Sequence, residues 1–384
     1  MPRTSAASET EWSLLFAACS AGRDHCRIQA LLQSSLHWDL VLDLADRHGV
    51  EPLLYQALSD YKELIPVEHF SSVAQKYQTN IHKSLMLSRE LIRIVDELSA
   101  AGIAVMPYKG LALAEAVYGD IALRQSGDID LLVRAADLTR IYEALAKLGF
   151  TKHLQWSPAV ERSYLKSGYE FVFDGTAGRN LLEVQWAIQP RFYAVDFDLE
   201  QLFQRAVTVP VAGRAMKTPS LEDLFILLSL HAAKHVWGRL IWLSDLARIA
   251  EIAKLDWSQI GITAKSLRIQ RILRVTLLLL NRLLDVPVPS GANTNLCQDE
   301  AAAQIAREIE TYIREDRAFD VESIAYFRLM LRLRERWQDR VRFVRRLAFT
   351  AGPSEWAAIR LPKPLFPLYR IVRMTRLAAK LVSA

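Results

Sequence analysis

Residues 108–133 read YKGLALAEAVYGDIALRQSGDIDLLV, and this is the most informative segment of the chain. Two acids, Asp128 and Asp130, stand one residue apart at the start of a strand-like apolar run. Because side chains alternate along a strand, both carboxylates are expected on one side, with Ile129 and Leu131 on the other. Two carboxylates this close repel each other unless a proton or a cation compensates. The segment therefore predicts a strand that carries a cation site, and a solvated turn before the strand is the alternative.

A divalent cation fits this pattern, and a second strand offers a further ligand. Mg²⁺ binds through one or two carboxylates and completes its shell with water and substrate phosphates, so it is the expected ion, with Mn²⁺ as the alternative. Glu183 lies in the otherwise apolar run LLEVQWAI (181–188), where an acid should face a site or a partner rather than a core. Acids on two neighbouring strands can hold a two-metal site. A surface position or a salt bridge is the other interpretation of Glu183.

The hydrophobic pattern divides the chain into four regions. It predicts an α+β fold that is mostly helical, with a small mixed sheet flanked by helical regions on both sides. Apolar spacings of three and four predict an N-terminal helical region at 1–100. Residues 101–215 alternate between short strands and helices. Helices return in residues 216–290, and residues 291–384 form an Arg-rich helical C-terminal region.

Individual elements are predicted within these regions. Ser220, followed three residues later by Asp223, fits a capping box at the start of the third region. Strands are predicted at 103–107, 128–133, 169–173 and 181–188, with a hairpin loop at 174–178, and helices at 111–119, 136–150, 219–253 and 264–284.

Composition excludes several classes of protein. The 384 residues are 51% hydrophobic and 24% charged, with few Gly and Pro, which is typical of a globular protein rather than a disordered or fibrous one. Only Cys19, Cys26 and Cys297 are present, without paired spacing, so no disulfide framework is expected. No signal peptide and no apolar run of membrane-spanning length is evident. We therefore expect a cytoplasmic protein.

The C-terminal region is strongly basic, within a chain of net charge +5 and pI about 9.0. Eight arginines against two acids lie between Arg328 and Arg346, and residues 360–384 contain six Lys or Arg and no acid. Such a segment is either a solvated helix face or a surface for an anionic partner, RNA or a membrane. The tail LFPLYRIVRMTRLAAKLV (365–382) is predicted either to dock on its own domain or to lie on a membrane surface.

The order of these motifs resembles that of a known family. A Lys-Gly turn, a helix, a Gly-Asp-x-Asp strand and a later strand with one more carboxylate resemble the nucleotidyltransferase fold of the DNA polymerase beta superfamily. The segments IAVMPYKGLALAEAVYGDIALRQSGDIDLLV (103–133) and LHAAKHVWGRLIWLSDLARI (230–249) are together more closely similar to a bacterial family of uncharacterised nucleotidyltransferases. The resemblance covers about residues 40–290. It implies that the small sheet is a nucleotidyltransferase palm.

The resemblance implies an enzyme that transfers an NMP from an NTP, taken as ATP, to a hydroxyl acceptor with release of pyrophosphate. Asp128, Asp130 and Glu183 would be its catalytic acids and would hold Mg²⁺. The acceptor would be a small molecule, a peptide or protein, or RNA. Two alternatives are a non-catalytic nucleotide- or RNA-binding module that retains the fold, and a toxin-type transferase that modifies tRNA.

The resemblance also implies a set of nucleotide-binding residues. Gly110 lets the backbone approach a phosphate, and either this turn or the Lys109 side chain would hold the phosphates. A surface lysine in a tight turn is the alternative. Lys234 would neutralise the β- and γ-phosphates, and Asp245 would orient Lys234 or the acceptor. The predicted set is Lys109, Gly110, Arg124, Ser126, Gly127, Lys234, His235 and Asp245.

Some of these positions have a structural interpretation as well. Arg124 is equally expected to pair with Asp120 or Asp128 instead of touching the triphosphate. His231 and His235, four residues apart, share a helix face, which is also typical of a packed helix interface.

The strand of the third acid departs from the family pattern. In the family this strand often reads acid-x-His-Trp, whereas this chain has Gln185 and Trp186 after Glu183-Val184. Gln185 leaves the three acids intact but removes a metal ligand or proton carrier. Trp186 is either a core residue or a platform for a nucleobase.

Overall fold

A computed structural model of the chain describes residues 9–175, 181–252, 255–289, 299–317, 319–320, 323–352, 355–356, 359 and 361–382. The predicted fold class is confirmed, since the chain is mostly helical with a small mixed sheet. The α-helices are α1 (Glu9–Cys19), α2 (His25–Leu32), α3 (Trp38–His48), α4 (Glu51–Leu58), α5 (Val67–Ala100), α6 (Gly110–Tyr118), α7 (Leu138–Lys147), α8 (Pro158–Tyr164), α9 (Leu199–Gln204), α10 (Leu221–Lys234), α11 (Leu240–Glu251), α12 (Trp257–Leu267), α13 (Gln270–Leu284), α14 (Glu300–Arg314), α15 (Ile324–Arg332), α16 (Trp337–Phe349) and α17 (Tyr369–Val382).

Seven strands form a central sheet and a separate hairpin. The strands are β1 (Val105–Pro107), β2 (Asp128–Val133), β3 (Thr151–Lys152), β4 (Glu170–Asp174), β5 (Leu181–Gln185), β6 (Val207–Val211) and β7 (Arg214–Thr218). The central sheet has the order β1-β2-β5-β4-β3, in which only β2 and β5 are parallel neighbours. The hairpin β6–β7 is antiparallel and packs near β1 and α6. The four predicted strands are therefore confirmed, and the short strand β3 and this hairpin are additions to them.

The central sheet has one apolar and one polar face, because the side chains of its strands alternate. The apolar face packs against α5 and α7, and it consists of Ile129, Leu131 and Val133 on β2, Phe171 and Phe173 on β4, and Leu182 and Val184 on β5. The opposite side, called the polar face below, carries Asp128, Asp130, Glu170, Glu183 and Gln185. The predicted alternation along β2 is confirmed.

The N-terminal helices and the helices after the sheet share a second apolar core. Trp12 of α1 and Leu53 of α4 belong to the same buried cluster as Leu227 of α10, Leu243 of α11 and Leu279 of α13. This helical core lies on the polar side of the sheet, since Leu132 of β2 joins it from there. The division into four regions stays a prediction, and its boundary at 290/291 lies outside the described residues.

Two predicted helical segments contain a break in the backbone. The segment 219–253, predicted as helices, forms α10 and α11, and between them Val236 and Trp237 adopt left-handed conformations with φ of 55° and 49°. The predicted helix 264–284 begins inside α12 and is interrupted before α13 by Arg268, with φ of 60°. Backbone in this conformation cannot continue a right-handed helix. The helical prediction is therefore wrong at these two breaks.

Many arginines of the C-terminal region form ion pairs within the chain. Asp196 pairs with both Arg342 and Arg346, and Glu355 pairs with both Arg373 and Arg376. Helix α17 packs against α16, so the tail docks on its own chain, as one of the two interpretations predicted. Large apolar side chains that stay exposed on these two helices are Trp337, Val341, Val344, Phe349, Ile371 and Met374.

The remaining expectations concern membrane segments and thiols. None of the helices in the described ranges is long and apolar enough to cross a membrane. Cys19 is buried and Cys26 is exposed, each as a free thiol. Cys297 lies outside the described residues, as do residues 1–8 of the N-terminus and residues 176–178 of the predicted hairpin loop.

Candidate active site

The three predicted acids lie together on the polar face of the sheet. Asp128 and Asp130 are on β2, and Asp130 is the register partner of Glu183 on the parallel strand β5. Neighbouring strands are about 4.8 Å apart, so side chains of register partners on one face are adjacent. The apolar residues between the acids bury the other face of both strands, which fixes this register. The pattern of the sequence thus places two carboxylates side by side.

Lys109 supplies the positive charge that the acids require. Its Nζ donates to Oδ1 of Asp130 at 2.9 Å, and the side chains of Lys109 and Asp130 are only 12% and 4% exposed. The ammonium also lies 4.8 Å from the ring centroid of Tyr108. Lys109 precedes α6 directly, so the start of that helix positions it. The lysine of the Lys-Gly turn is therefore a buried partner of the acids and not a surface lysine.

Gln185 connects the acids on the two strands. Its Nε2 donates to Oδ1 of Asp130 at 3.2 Å and to Oε2 of Glu183 at 2.8 Å. Its Oε1 in turn accepts a hydrogen bond of 2.5 Å from the hydroxyl of Tyr108. One amide group thus spans both carboxylates, which explains what the glutamine does at the position where the family often has histidine.

The acids carry more negative charge than Lys109 neutralises. Burial raises the pKa of Glu183 to about 8, with further contributions from Asp130 and Glu170. Burial and Asp130 likewise raise the pKa of Asp128, against the opposing effect of Lys109. Burial has the largest single effect on the pKa of Lys109 and lowers it, but Asp130, Tyr108 and Glu183 act in the opposite direction and together raise this pKa well above its usual value. A further cation would therefore be electrostatically favoured here.

A cavity of about 220 Å³ opens beside these residues, between the polar face and α10. The sheet side contributes Lys109, Glu170, Glu183 and Gln185. The helical side contributes residues of α10 and its end, namely Leu227, His231, Lys234 and His235. The structure therefore brings residues from both predicted motifs to one cavity.

Lys234 reaches across this cavity to the sheet side. Its Nζ donates to the hydroxyl of Tyr169 at 2.9 Å and lies 4.7 Å from the centroid of that ring. Burial lowers the pKa of Lys234, while Glu170 and Glu183 act in the opposite direction. Two ammonium groups, Lys109 and Lys234, thus line the cavity together with two carboxylates.

The two histidines of α10 form an aromatic cluster with Trp242. The ring centroids of His231 and His235 are 4.9 Å apart, and each lies within 5.3 Å of the centroid of Trp242. Burial, together with nearby lysines, lowers the pKa of His231 well below its usual value and that of His235 to about 4. Both imidazoles are therefore neutral at pH 7 and can donate or accept hydrogen bonds at the wall of the cavity.

Arg124 and Asp245 pair with each other outside the lining of the cavity. The Nη2 of Arg124 lies 3.0 Å from Oδ2 of Asp245, and its Nε contacts both carboxylate oxygens. Tyr118 donates its hydroxyl to the same carboxylate at 2.8 Å. The expected pairing of Arg124 with Asp120 or Asp128 is wrong, since Asp245 on α11 is its partner. Neither Arg124 nor Asp245 lines the cavity, and their nucleotide-binding role stays a prediction.

The turn around Gly110 packs closely on the segment before β2. Gly110 has φ of 53°, and a Cβ atom there would lie 3.4 Å from the carbonyl oxygen of Asp128 and 3.5 Å from Oγ of Ser126. Ser126 Oγ also accepts a hydrogen bond of 3.3 Å from Nη1 of Arg124. A Cβ on Gly127, by contrast, would meet nothing within 4 Å. The N-terminus of α6 is therefore held against the backbone that carries the first acid.

Glu170 and Tyr169 belong to the site, although the sequence did not single them out. Glu170 on β4 is the register partner of Gln185 on β5, and burial raises the pKa of Glu170. The signal was present in the strand YEFVF (169–173), where Glu170 alternates with the core residues Phe171 and Phe173. Trp186, by contrast, is 7% exposed and packs 4.8 Å from the ring of Phe171, so its interpretation as a core residue is confirmed.

The donor atoms suit a divalent cation, although they are not assembled around one. Asp128, Asp130 and Glu183 offer the carboxylate oxygens that Mg²⁺ prefers, and burial together with their mutual repulsion raises the pKa values of Asp128 and Glu183. Within the described ranges, however, no three His, Cys, Asp or Glu side chains are grouped as a metal site. Lys109 and Gln185 instead contact one oxygen of each carboxylate, Oδ1 of Asp130 and Oε2 of Glu183.

Comparison with known proteins identifies the family of the chain. Residues 34–285 match the family described as uncharacterised nucleotidyltransferase, which is about two thirds of the chain and includes every element around the cavity. No curated protein and no solved structure matches the chain significantly. The acids of the polar face, the Lys-Gly turn and α10 all lie inside the matched segment. The chain therefore belongs to this family of uncharacterised nucleotidyltransferases, enzymes that transfer phosphorus-containing groups.

Proposed function

We propose that the protein transfers an NMP from an NTP, with ATP as the first candidate, to a hydroxyl acceptor and releases pyrophosphate in a reaction that depends on Mg²⁺ or Mn²⁺. The observation that carries the proposal is that Asp130 and Glu183 are register partners on the parallel strands β2 and β5. They lie beside Lys109 and the cavity. A nucleotidyl transfer needs carboxylates for metal ions and cations for a triphosphate. This cavity offers both kinds of group.

The two sides of the cavity have separate roles in this proposal. Asp128, Asp130 and Glu183 would hold the metal ions, which when bound would stabilise the charge of the transferring phosphoryl group. Lys234 and Lys109 would bind the phosphates from opposite sides of the cavity. The neutral His235 at the end of α10 would donate a hydrogen bond to a phosphate oxygen or to the nucleoside.

The reaction is an in-line displacement at the α-phosphorus. The acceptor oxygen forms a bond to that phosphorus, and the bond from the phosphorus to the β-phosphate oxygen breaks. The acceptor proton passes to a carboxylate of the cluster, and pyrophosphate leaves between the two lysines. The ammonium groups stabilise the negative charge that builds up on the leaving group. The acceptor can be a small molecule, a peptide or protein, or RNA.

Incubation with each α-³²P-labelled NTP, Mg²⁺ and cell extract tests the proposal. We expect label on one class of acceptor, and Asp130→Asn should lower the rate by at least about a hundredfold, since even partners of metal ligands matter at that scale. Lys152→Met serves as a matched control, because Lys152 pairs with Glu161 away from the cavity. Labelling that persists in Asp130→Asn, or the absence of pyrophosphate release with every NTP, would overturn the proposal.

A further inference from the structure

We propose that Lys109 is a built-in counter-ion: it takes the place of a divalent cation on Asp130 in the metal-free protein and turns to the substrate's phosphates when that cation binds. This inference rests on the proposed function, because it concerns the same acids. It starts from the 2.9 Å contact between Nζ of Lys109 and Oδ1 of Asp130, both nearly buried. It also answers why this chain has lysine before the glycine of the turn.

Lys109 connects Asp130 to the cavity. Its side chain lines the cavity and contacts Oδ1 of Asp130, whereas Asp130 does not line the cavity and is 4% exposed. A cation that enters from the cavity therefore approaches Asp130 past the two cavity residues that contact its carboxylate, Lys109 and Gln185. A cation at Oδ1 of Asp130 would take the place of the ammonium group, because the two carry like charges that repel each other at this distance. Cation binding to that oxygen therefore requires Lys109 to leave it.

The backbone of Lys109 is held in place, and its side chain borders the cavity. The turn is held by the close approach of Gly110 to the carbonyl oxygen of Asp128, and Lys109 itself precedes α6. The ammonium has one carboxylate partner, Asp130, and a ring contact with Tyr108. A lysine carries a compact charge on a flexible four-carbon stem and can move between two anionic partners, whereas the planar fork of arginine favours one fixed geometry.

The charges of the site favour such an exchange. Asp128, Asp130, Glu170 and Glu183 share the polar face, whereas the cavity offers the two lysines Lys109 and Lys234. Four carboxyl groups outnumber two ammonium groups, and the excess is two negative charges when all four acids are ionised. A divalent cation would neutralise this excess. Lys109 would then be released for the incoming phosphates, which Lys234 approaches from the α10 side. Metal and nucleotide binding are thereby linked through one side chain.

Mn²⁺ affinity measured without nucleotide tests this inference independently of activity. Lys109→Met keeps the length of the side chain but removes the competing charge, so we expect Mn²⁺ to bind at least about tenfold more tightly than in the wild-type protein, by calorimetry or by electron paramagnetic resonance. Lys109→Arg retains a charge and should bind Mn²⁺ about as the wild type does or more weakly. Lys152→Met removes a lysine that pairs with Glu161 outside the cavity and should leave the affinity unchanged.

A second measurement needs no variant. Acetylation of the wild-type protein by an N-hydroxysuccinimide ester, followed by mass spectrometry, should modify Lys109 faster when Mn²⁺ is present, with Lys152 as the internal reference. The counter-ion role would be overturned if Lys109→Met bound Mn²⁺ as the wild type does or more weakly. It would also be overturned if Mn²⁺ slowed the acetylation of Lys109. Either result would leave the proposed function standing. If neither the wild-type protein nor Asp130→Asn binds Mn²⁺, the metal dependence of the proposed function is contradicted as well.

Discussion

Glu183 shows how a single buried acid links the site to the stability of the fold. Its pKa is raised to about 8 by burial and by the neighbouring charges of Asp130 and Glu170, whereas in the unfolded chain it is about 4.3. Between these two pH values the folded protein holds a proton that the unfolded chain has released. Stability contributed at this position therefore falls as the pH rises from about 4.3 to about 8.

Glu183→Gln should remove this pH dependence, because the amide keeps the shape and cannot ionise. Relative to the wild type, the variant should gain stability on the order of a few kcal/mol between pH 5 and pH 8. Urea unfolding at both pH values, in the presence of EDTA to exclude metal ions, measures the difference. Glu161→Gln, at the partner of Lys152 outside the cavity, is the control. An equal effect of Glu183→Gln at both pH values would contradict the prediction.

Lys234 should contribute to nucleotide affinity rather than to the fold alone. Its ammonium lies at the cavity wall with the hydroxyl of Tyr169 as its hydrogen-bond partner. Lys234→Met should raise the KM for NTP by about tenfold, the scale of one charge-assisted hydrogen bond. Steady-state kinetics with varied NTP measures this.

Tyr169→Phe is the matched variant for Lys234→Met, because it removes the hydrogen-bond partner and keeps the ammonium. Its KM for NTP should rise less than that of Lys234→Met. If Lys234→Met leaves KM unchanged, Lys234 is only a structural residue of the interface between α10 and the sheet.

At the residue level, strand alternation was sufficient to predict where the acids point. Asp128 and Asp130 share a face because Ile129 and Leu131 enter the core, and this follows from local sequence. The contact of Lys234 with Tyr169 joins positions 65 residues apart. No local pattern contains such a pairing, so the cationic wall of the cavity became visible only in the folded chain.

At the level of elements, Gly110 at the start of α6 combines a left-handed backbone with a close approach to the backbone of Asp128. Gly110→Ala introduces a side chain at φ of 53° and places its Cβ 3.4 Å from the carbonyl oxygen of Asp128. The left-handed conformation alone costs about 1–2 kcal/mol. The added Cβ would be in van der Waals contact with that oxygen, so a backbone shift that relieves the unfavourable φ should move the start of α6 relative to β2, and with it Lys109. We expect a loss of stability of about 1–2 kcal/mol or more in chemical unfolding, and a loss of NTP turnover.

Gly119→Ala is a matched control at the other end of the same helix. Gly119 has φ of 67°, and a Cβ there would meet nothing within 4 Å. It should therefore lower stability by about 1–2 kcal/mol through its backbone conformation and leave turnover intact. If Gly110→Ala and Gly119→Ala affect turnover equally, the close approach of Gly110 to β2 has no role in the site.

The elements that the sequence did not reveal are those whose backbone contradicts local preference. The hairpin β6–β7 contains Pro210 within a strand and turns at Ala212 and Gly213, both with positive φ. Proline inside an apolar run weakens a strand prediction, and alanine is an unusual residue for such a turn. The break after α10 likewise falls at Val236 and Trp237, where hydrophobic periodicity continues through a left-handed backbone.

At the level of the whole molecule, arginines of the C-terminal region form ion pairs with acids elsewhere in the chain. Asp196 follows the sheet in sequence, and its pairs with Arg342 and Arg346 connect that segment to α16. Arg345, on the same helix, is exposed and forms no ion pair with a described residue. An anionic partner, RNA or a membrane, at this surface stays a prediction, and the intramolecular pairs reduce the charge available to it.

The connection between the sheet and the helical core includes one fully buried ion pair. Arg124 precedes β2 and Asp245 lies on α11, and their side chains are 8% and 0% exposed. Removing one member leaves an uncompensated buried charge, which costs about 3–5 kcal/mol, whereas replacing both by apolar residues costs much less. The difference in stability between single and double replacement therefore distinguishes a structural ion pair from two independent nucleotide-binding residues.

Arg124→Met should therefore lower the free energy of unfolding by about 3–5 kcal/mol, and the double variant Arg124→Met/Asp245→Leu should recover part of this loss. The hydroxyl of Tyr118 loses its acceptor in the double variant, so recovery is incomplete. Urea unfolding of the single and double variants measures the coupling, and NTP binding to the folded double variant measures any direct role. If the double variant is as unstable as the sum of both single variants, the pair does not act as a unit. If it folds but binds NTP much more weakly than the wild type, Arg124 or Asp245 belongs to the nucleotide site.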